Sequence, residues 1–408
     1  IEAVDNQPWS GEANVHVSIV NWAKTKNRKL LPKKRLLWYK VDPPRERTGI
    51  RKRGEGPAAK DYELRARECA LINSALSDQV DVTGAGELGC NKDPQRCFQG
   101  VVTGYSGFVV PLAERQKWIK RDKAHAKVVK PYLIGRDLVS SDGRPSRAVI
   151  DFGTDTILDA AGFDLAFKRV QEKVLPAVSE TLERAVGSDM EGARREHLDR
   201  WWQLWNVRRG MRVAFRKLHR FVAMSRVTKR PIFCFVSTAI LPDGKVQTFA
   251  FEDDYAFGVL QSLHHWKWFV AKCAKLTERF SYSPRAVFET FPWPQKPKVK
   301  HVRAVAQAGR EVRRVRAQAL TKTKSGLRGV YRKLELPGKN PLKDAHSALD
   351  AAVLEAYGFS QGDLLAQLLD LNLDVAQRIE RGDPVTAPGI PPGYPKPDEL
   401  VTDDCIQP

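Results

Sequence analysis

The residues whose types and spacing most resemble a reactive site lie in "VDVTGAGELG" (80–89), where Asp81 precedes Gly84, Gly86 and Gly89. Glycines so spaced bring backbone N–H groups against a nucleotide cofactor when they follow an apolar strand and open a helix. Neither condition holds here. Upstream, "INSALSDQ" is polar and interrupted; downstream, "CNKDPQRC" reaches Pro94 before an apolar helix can start. The stretch is expected to be a structural loop. "VDPPRE" (41–46) approaches the Asn/Asp-Pro-Pro-aromatic tetrapeptide with which amino-group DNA methyltransferases hold a flipped base, but Arg45 stands where a stacking ring is needed. Asp42, Pro43 and Pro44 then read as a turn ending a strand.

Other candidate groups fit structural roles. Cys90 and Cys97, with His125 far along, lack the close spacing of a zinc site. His264 and His265 are adjacent, about 100° apart on a helix, so they cannot chelate one ion; one is expected inside and one outside. Asp253 and Asp254 in "FEDDYAF" suit an N-cap and a first-turn acid. A nuclease using both with Mg²⁺ is the competing reading. Neither a metal nor a nucleophile is expected.

Charge points elsewhere. The 408 residues carry 68 Lys+Arg against 48 Asp+Glu, a net +20, and Arg200–Pro242 contains no acid. A basic segment that is also rich in aromatics suggests a folded surface facing a polyanion, because neutralising phosphates releases condensed counterions. Arg208, Arg209, Arg212, Arg216 and Arg220 are expected to track DNA phosphates, with Arg226, Lys229 and Arg230 extending the positive region. In "KLTERFSYSPR" (275–285), Lys275, Arg279, Tyr282 and Arg285 are of types suited to base edges, the alternative being an ordinary polar loop. Of Trp201, Trp202 and Trp205, two are expected in the core.

These residues need elements to hold them. With 42% hydrophobic residues the chain can bury cores, and its length suits two or three domains. Strands are expected at 14–24, 34–42 and 148–153. A helix, a break and a second helix are read over 112–138, and two helices divided around Gly187 over 163–200. A helix from Trp201 to about Val222 would place its arginines on one side and Leu204, Met211, Phe215 and Leu218 on another. "IFCFVS" and "QTFAFED" flank a Pro-Asp-Gly turn and predict a β-hairpin. Helices follow at 255–273, 301–320 and 340–359, the last with an Asn-Pro start. The proline-rich end, from Gly382, is expected to wrap or dangle. No run of about 18 apolar residues predicts a membrane span. The six cysteines are too few and scattered for a disulfide scaffold, and a reducing cytoplasm is expected.

The ordered motifs "GEANVHVSIVNWAK", "INSALSDQVDVTGAGEL", "CFQG", "VVKPYLIGRDL", "WWQLWNVRR", "FAFEDDYAFGVLQSLHHWKW", "RFSYSPRAVFETFPWP" and "AHSALDAAVLEAYGF" together resemble the C-terminal half of large bacterial gamma-type DNA adenine-N6 methyltransferases. These include fused type II restriction–modification proteins and methylases of phage-defence systems such as DISARM. The resemblance runs from about residue 9 to 360. It implies an α+β chain: the last strands of a Rossmann-like methyltransferase sheet (1–60), a connector (61–130), a mixed α/β target recognition domain (131–297) and a C-terminal helical module with its tail (298–408). It implies that Arg279, Tyr282 and Arg285 lie where base contacts tend to occur.

The resemblance further implies double-stranded DNA as partner, and S-adenosylmethionine as cofactor of the intact enzyme only. The catalytic motifs would lie N-terminal to everything present, in the same gene or on a partner chain, and other defence-system subunits are further candidate partners. Starting at Ile1, the chain is expected to be a piece of a longer or renumbered protein and inactive alone. The alternative function is a stand-alone DNA-binding or assembly subunit.

Overall fold

The computed structural model describes residues 2–8, 16–22, 24–41, 63–73, 76, 78, 80–140, 143–273, 275–276, 279–323 and 326–408. They divide into two compact units, 1–85 with 275–278, and 86–274 with 279–408.

In the first unit, β1 (Glu2–Pro8), β2 (His16–Asn21), β3 (Arg35–Val41) and β4 (Glu63–Cys69) form one sheet in the order β2-β1-β3-β4. The two strands predicted at 14–24 and 34–42 are β2 and β3, but β1 lies between them, antiparallel to β2 and parallel to β3. Ala3 and Leu37 are buried, whereas Ile19, Val20, Trp22, Tyr39 and Leu64 are exposed. Two of the three strand pairings are antiparallel, and sheets of that kind commonly leave one face open. Asp42–Arg45 lie outside the described residues.

The second unit begins with a single helical turn, α1 (Gly89–Lys92), followed by β5 (Cys97–Gln99), β6 (Val109–Pro111), α2 (Leu112–Arg121), β7 (Val129–Leu133) and β8 (Arg147–Ile150). The second helix predicted before residue 138 is instead β7. A helix through Pro131 would forfeit a backbone bond, whereas Val129, Tyr132 and Leu133 bury fully in a sheet where β8 pairs antiparallel with both β6 and β7. Four helices follow: α3 (Ile157–Ala161), α4 (Asp164–Lys173), α5 (Leu175–Ala185) and α6 (Glu191–Leu198), the last two separated at Gly187 with φ +78°.

The predicted helix from Trp201 to Val222 breaks into three parts. Residues 201–206 form turns tied back by Trp205 N–H to the Thr103 carbonyl and Asn206 N–H to that of Val102. Helix α7 is only Arg209–Phe215, and Arg220–Ser225 is the strand β9. The β-branched and aromatic residues of β9 gain more from pairing on both sides than from helix continuation: β9 lies inside the sheet β11-β9-β13-β5 and is buried from Arg220 to Met224. After β10 (Val227–Thr228), β11 (Cys234–Ser237) and β13 (Val246–Phe249) are the two strands of the expected hairpin, but each pairs with β9 and not with the other. Between them β12 (Leu241–Pro242) joins β7 in the other sheet. The Pro-Asp-Gly turn is real, with Asp243 accepting from the N–H of Lys245 and of Val246.

The helix expected at 255–273 is two, α8 (Asp254–Gln261) and α9 (Leu263–Lys272), parted at Ser262. Short strands β14 (Lys275–Leu276) and β15 (Arg279–Ser281) follow, β15 pairing antiparallel with β10. Then come α10 (Val299–Thr321), α11 (Gly326–Arg332), α12 (Pro341–Tyr357) and α13 (Leu364–Glu380). Every residue of α8 is buried, and it meets α10 through glycine: a Cβ on Gly258 would stand 2.7 Å from Val305 Cγ1 and 2.9 Å from its carbonyl oxygen. The proline-rich end wraps, with bridges from Asp253 to Val401 and from Val236 to Ile406. Among the described residues no helix is long and apolar enough to cross a membrane.

Candidate nucleic-acid interface

The loop at 80–89 is structural. Asp81 accepts from the N–H and hydroxyl of Thr83. Asn372 of α13 accepts from the Gly86 N–H (3.0 Å) and donates to the Gly86 carbonyl (3.0 Å), occupying the backbone groups a cofactor would need.

Helix α7 presents the basic segment. Its apolar side is fixed by Met211, which is buried, and by Phe215, stacked on Phe221 with ring centroids 4.4 Å apart. Arg209 and Arg216 are exposed, and neither makes an ion pair among the described residues. Arg212 is committed in part: its Nη2 lies 2.9 Å from the buried Asp151 carboxylate and its Nε donates to the Val207 carbonyl. Asp151 and Lys130, which carry no sequence signal, join Arg212 and Arg216 around a cleft of about 320 Å³. Burial lowers the Lys130 pKa, with Asp151 opposing the shift. Arg208 enters α7 with a left-handed backbone, φ 53° and ψ 60°. Arg226 is half-buried, its Nε 3.3 Å from the Tyr282 carbonyl, and Lys229 is exposed.

Three expected contacts, Arg220, Tyr282 and Arg230, are placed otherwise. Arg220 is not on the arginine stripe of a helix but inside β9, 2% exposed, bonded to Asp254 (3.0 Å), Asp404 (3.2 Å) and the Glu252 carbonyl. Tyr282 is fully buried; its hydroxyl is 3.0 Å from His265 Nε2 and its ring stacks on Phe269. Burial pushes that phenol far above its ordinary pKa. Neither side chain reaches DNA without leaving the core, so both expectations are corrected. Arg230 is half-buried over the Trp266 ring (4.5 Å) and the Tyr331 ring (5.2 Å), an internal cation–π role. Arg285 is exposed and ion-paired with Glu87. The side chains of Lys275 and Arg279 lie outside the described residues.

The tryptophans follow the broken helix. Trp201 is buried, Trp202 donates to the Asp155 carbonyl, and Trp205 lies under Arg194 (4.5 Å) and edge-on to His197. His264 and His265 are both buried, correcting the expected split. Asp253 caps α8, accepting from the Ala256 N–H at 2.7 Å. Asp254 is fully buried and bound by Arg220, Arg310 (2.5 Å) and Arg313 (2.7 Å), so three guanidinium groups surround the carboxylate considered above for Mg²⁺.

Residues 227–295 match the family model of the MmeI target recognition domain. That span covers β10 to β15 and the π-helical turn Pro284–Phe288. No curated protein matches the chain. Among solved structures the chain is similar to the Type IIL restriction-modification enzyme MmeI in complex with DNA, with a TM-score of 0.65 and 17% identity over 93% of this chain and 46% of that one. The chain thus spans less than half the length of the MmeI chain it matches. It carries a segment similar to the MmeI target recognition domain, within a mixed helix-and-sheet fold similar to that of the matched part of MmeI.

Proposed function

We propose that this chain is the sequence-specific DNA-recognition part of a restriction–modification methyltransferase, gripping duplex DNA through Arg209, Arg216, Arg226 and Lys229. The observation that carries the reading is the match of residues 227–295 to a target recognition domain, overlapping a stretch, Arg200–Pro242, without a single acid. MmeI was solved with DNA bound, and the same partner suits this charge. Phosphate contacts position such a protein and base-edge contacts specify the site.

In this reading the intact protein transfers a methyl group from S-adenosylmethionine to adenine N6 of a flipped base. Cofactor and catalytic residues belong to a further segment, because the glycines at 84–89 do not fit the cofactor. The first unit then represents the last strands of the Rossmann-like catalytic sheet. Its parallel β1–β3 pair and open Ile19, Val20 and Trp22 support that placement, since a further segment would cover them. The remaining boundaries are a connector to 130, a recognition domain to 297 and a helical module beyond. A cytoplasmic role in phage defence completes the proposal.

The test is duplex DNA binding across a salt series, for the chain and for an Arg209→Ala/Arg216→Ala/Arg226→Ala variant. Affinity should fall steeply with salt, and the log–log slope should flatten by about 0.9 per lost phosphate contact. Salt-insensitive binding unchanged in the variant would refute the assignment.

A further inference from the structure

Beside α7 a cleft of about 340 Å³ is lined by Gln95, Gln99, Asn206 and Arg208 over Phe98 and Met211. All but Pro284 of its lining lies outside the segment that matches a target recognition domain. Its polar side chains are the types that read base edges: amides pair with adenine, a guanidinium fork with guanine.

Arg208 is held in place unusually well for a half-buried arginine. Its backbone occupies the left-handed region, at φ 53°, which L residues seldom adopt. Asn206 Oδ1 accepts from the Arg208 N–H at 3.0 Å and stabilises that turn. Nε donates to the Gly100 carbonyl at 3.1 Å and Nη2 to Gln99 Oε1 at 2.6 Å, while Gln99 itself donates to the Gly244 carbonyl at 2.6 Å. Gln99 is therefore a strut. Nη1 makes no hydrogen bond among the described residues, so one edge of the fork remains available. With Nε on the Gly100 carbonyl and Nη2 on Gln99, the edge left open is the Nη1–Nη2 end, whose two coplanar donors match the O6/N7 acceptor pair of a guanine.

We propose that this cleft reads a base pair in the major groove. Arg208 donates its remaining Nη hydrogens to O6 and N7 of a guanine, and the amides of Gln95 and Asn206 face the neighbouring pair. The inference rests on the DNA-recognition reading above and assigns part of the specificity to residues outside the matched segment.

The experiment selects sequences bound by the chain from a randomised duplex library and repeats the selection with Arg208→Lys, Arg208→Gly and Gln95→Ala. Arg208→Lys keeps the charge and loses the fork. Arg208→Gly suits the left-handed backbone, so its fold is retained. The wild type should enrich a site with a fixed guanine. Both Arg208 variants should lose preference there by about ten- to a hundredfold, the lysine variant keeping the wild-type salt slope. Gln95→Ala should relax only the adjacent position. A lysine variant that retains full preference at every position overturns the inference, as does a uniform loss of affinity across all sequences, which marks a phosphate contact. Wild-type binding without any enriched site also overturns it while leaving DNA binding intact. No DNA binding by the wild type sinks the functional reading itself.

Discussion

Helix α10 and the segment from Arg208 to Arg230 both carry arginines every few residues, and they use them in opposite directions. In α10, Arg310 and Arg313 reach the buried Asp254, Arg313 also binds Asp404, Arg303 pairs with Glu399, and Arg316 is 4% exposed with its Nη1 on the Phe233 carbonyl. In the other stretch Arg209 and Arg216 point to solvent. Arg220 belongs to the second stretch by sequence and to the first network by contact. The acids that neutralise α10 come from α8 and from the chain's end, so charge summed along a segment does not report charge at the surface.

The largest test of this contrast removes the centre of the inward network. Asp254→Ala leaves Arg220 and Arg313 with only the half-exposed Asp404 as a carboxylate partner, and removing one member of a buried pair costs about 3–5 kcal/mol. Denaturant unfolding should show that loss, whereas a loss below about 1 kcal/mol would mean the arginines find other partners.

A pH signature should accompany the interior side. Burial holds His264 at about 4 and His265 and His346 at about 3, below the ordinary imidazole range. Because the folded values are depressed, their contribution is complete above pH ~6.5 and drains away as pH falls toward the folded values. Both ring nitrogens of His264 lack partners among the described residues, and its ring stacks on Tyr357. His264→Phe should therefore fold as well at pH 8 and lose about 3 kcal/mol less than wild type on acidification to the folded value. An unchanged acid limb in equilibrium unfolding would refute the assignment.

On the exposed side, Arg209→Ala/Arg216→Ala should leave stability within about 0.5 kcal/mol while lowering the salt slope of DNA binding by roughly 2. A stability loss as large as that of Asp254→Ala would erase the contrast. The smallest effect is expected at Arg303, whose side chain is 56% exposed in its pair with Glu399. Arg303→Ala should leave the melting temperature nearly unchanged, and a clear thermal shift would show that the wrapped chain end depends on that pair.

Local signals were legible in proportion to how locally they act. Asp253 caps α8 as its position predicts. Asn340 and Pro341 open α12 where the Asn-Pro start indicates. The loop reading of Gly84–Gly89 agrees with Asn372 occupying Gly86. Illegible were β9 and the insertion of β9 between β11 and β13, because strand order depends on partners far along the chain. The burial of Tyr282 and His265 against each other was equally hidden, since neither residue type announces which face it will occupy.

By itself, the amino-acid order determined the caps, the turn at Pro242–Gly244, the broad α+β character and the ordered motifs that resemble a DNA-recognition region. Those features rest on φ/ψ preferences and hydrogen bonds within a few residues. The tertiary structure alone decided which arginines face outward. Arg220 and Arg313 turn inward because Asp254 and Asp404 become their neighbours, and that happens only when the sheet, α10 and the chain end assemble.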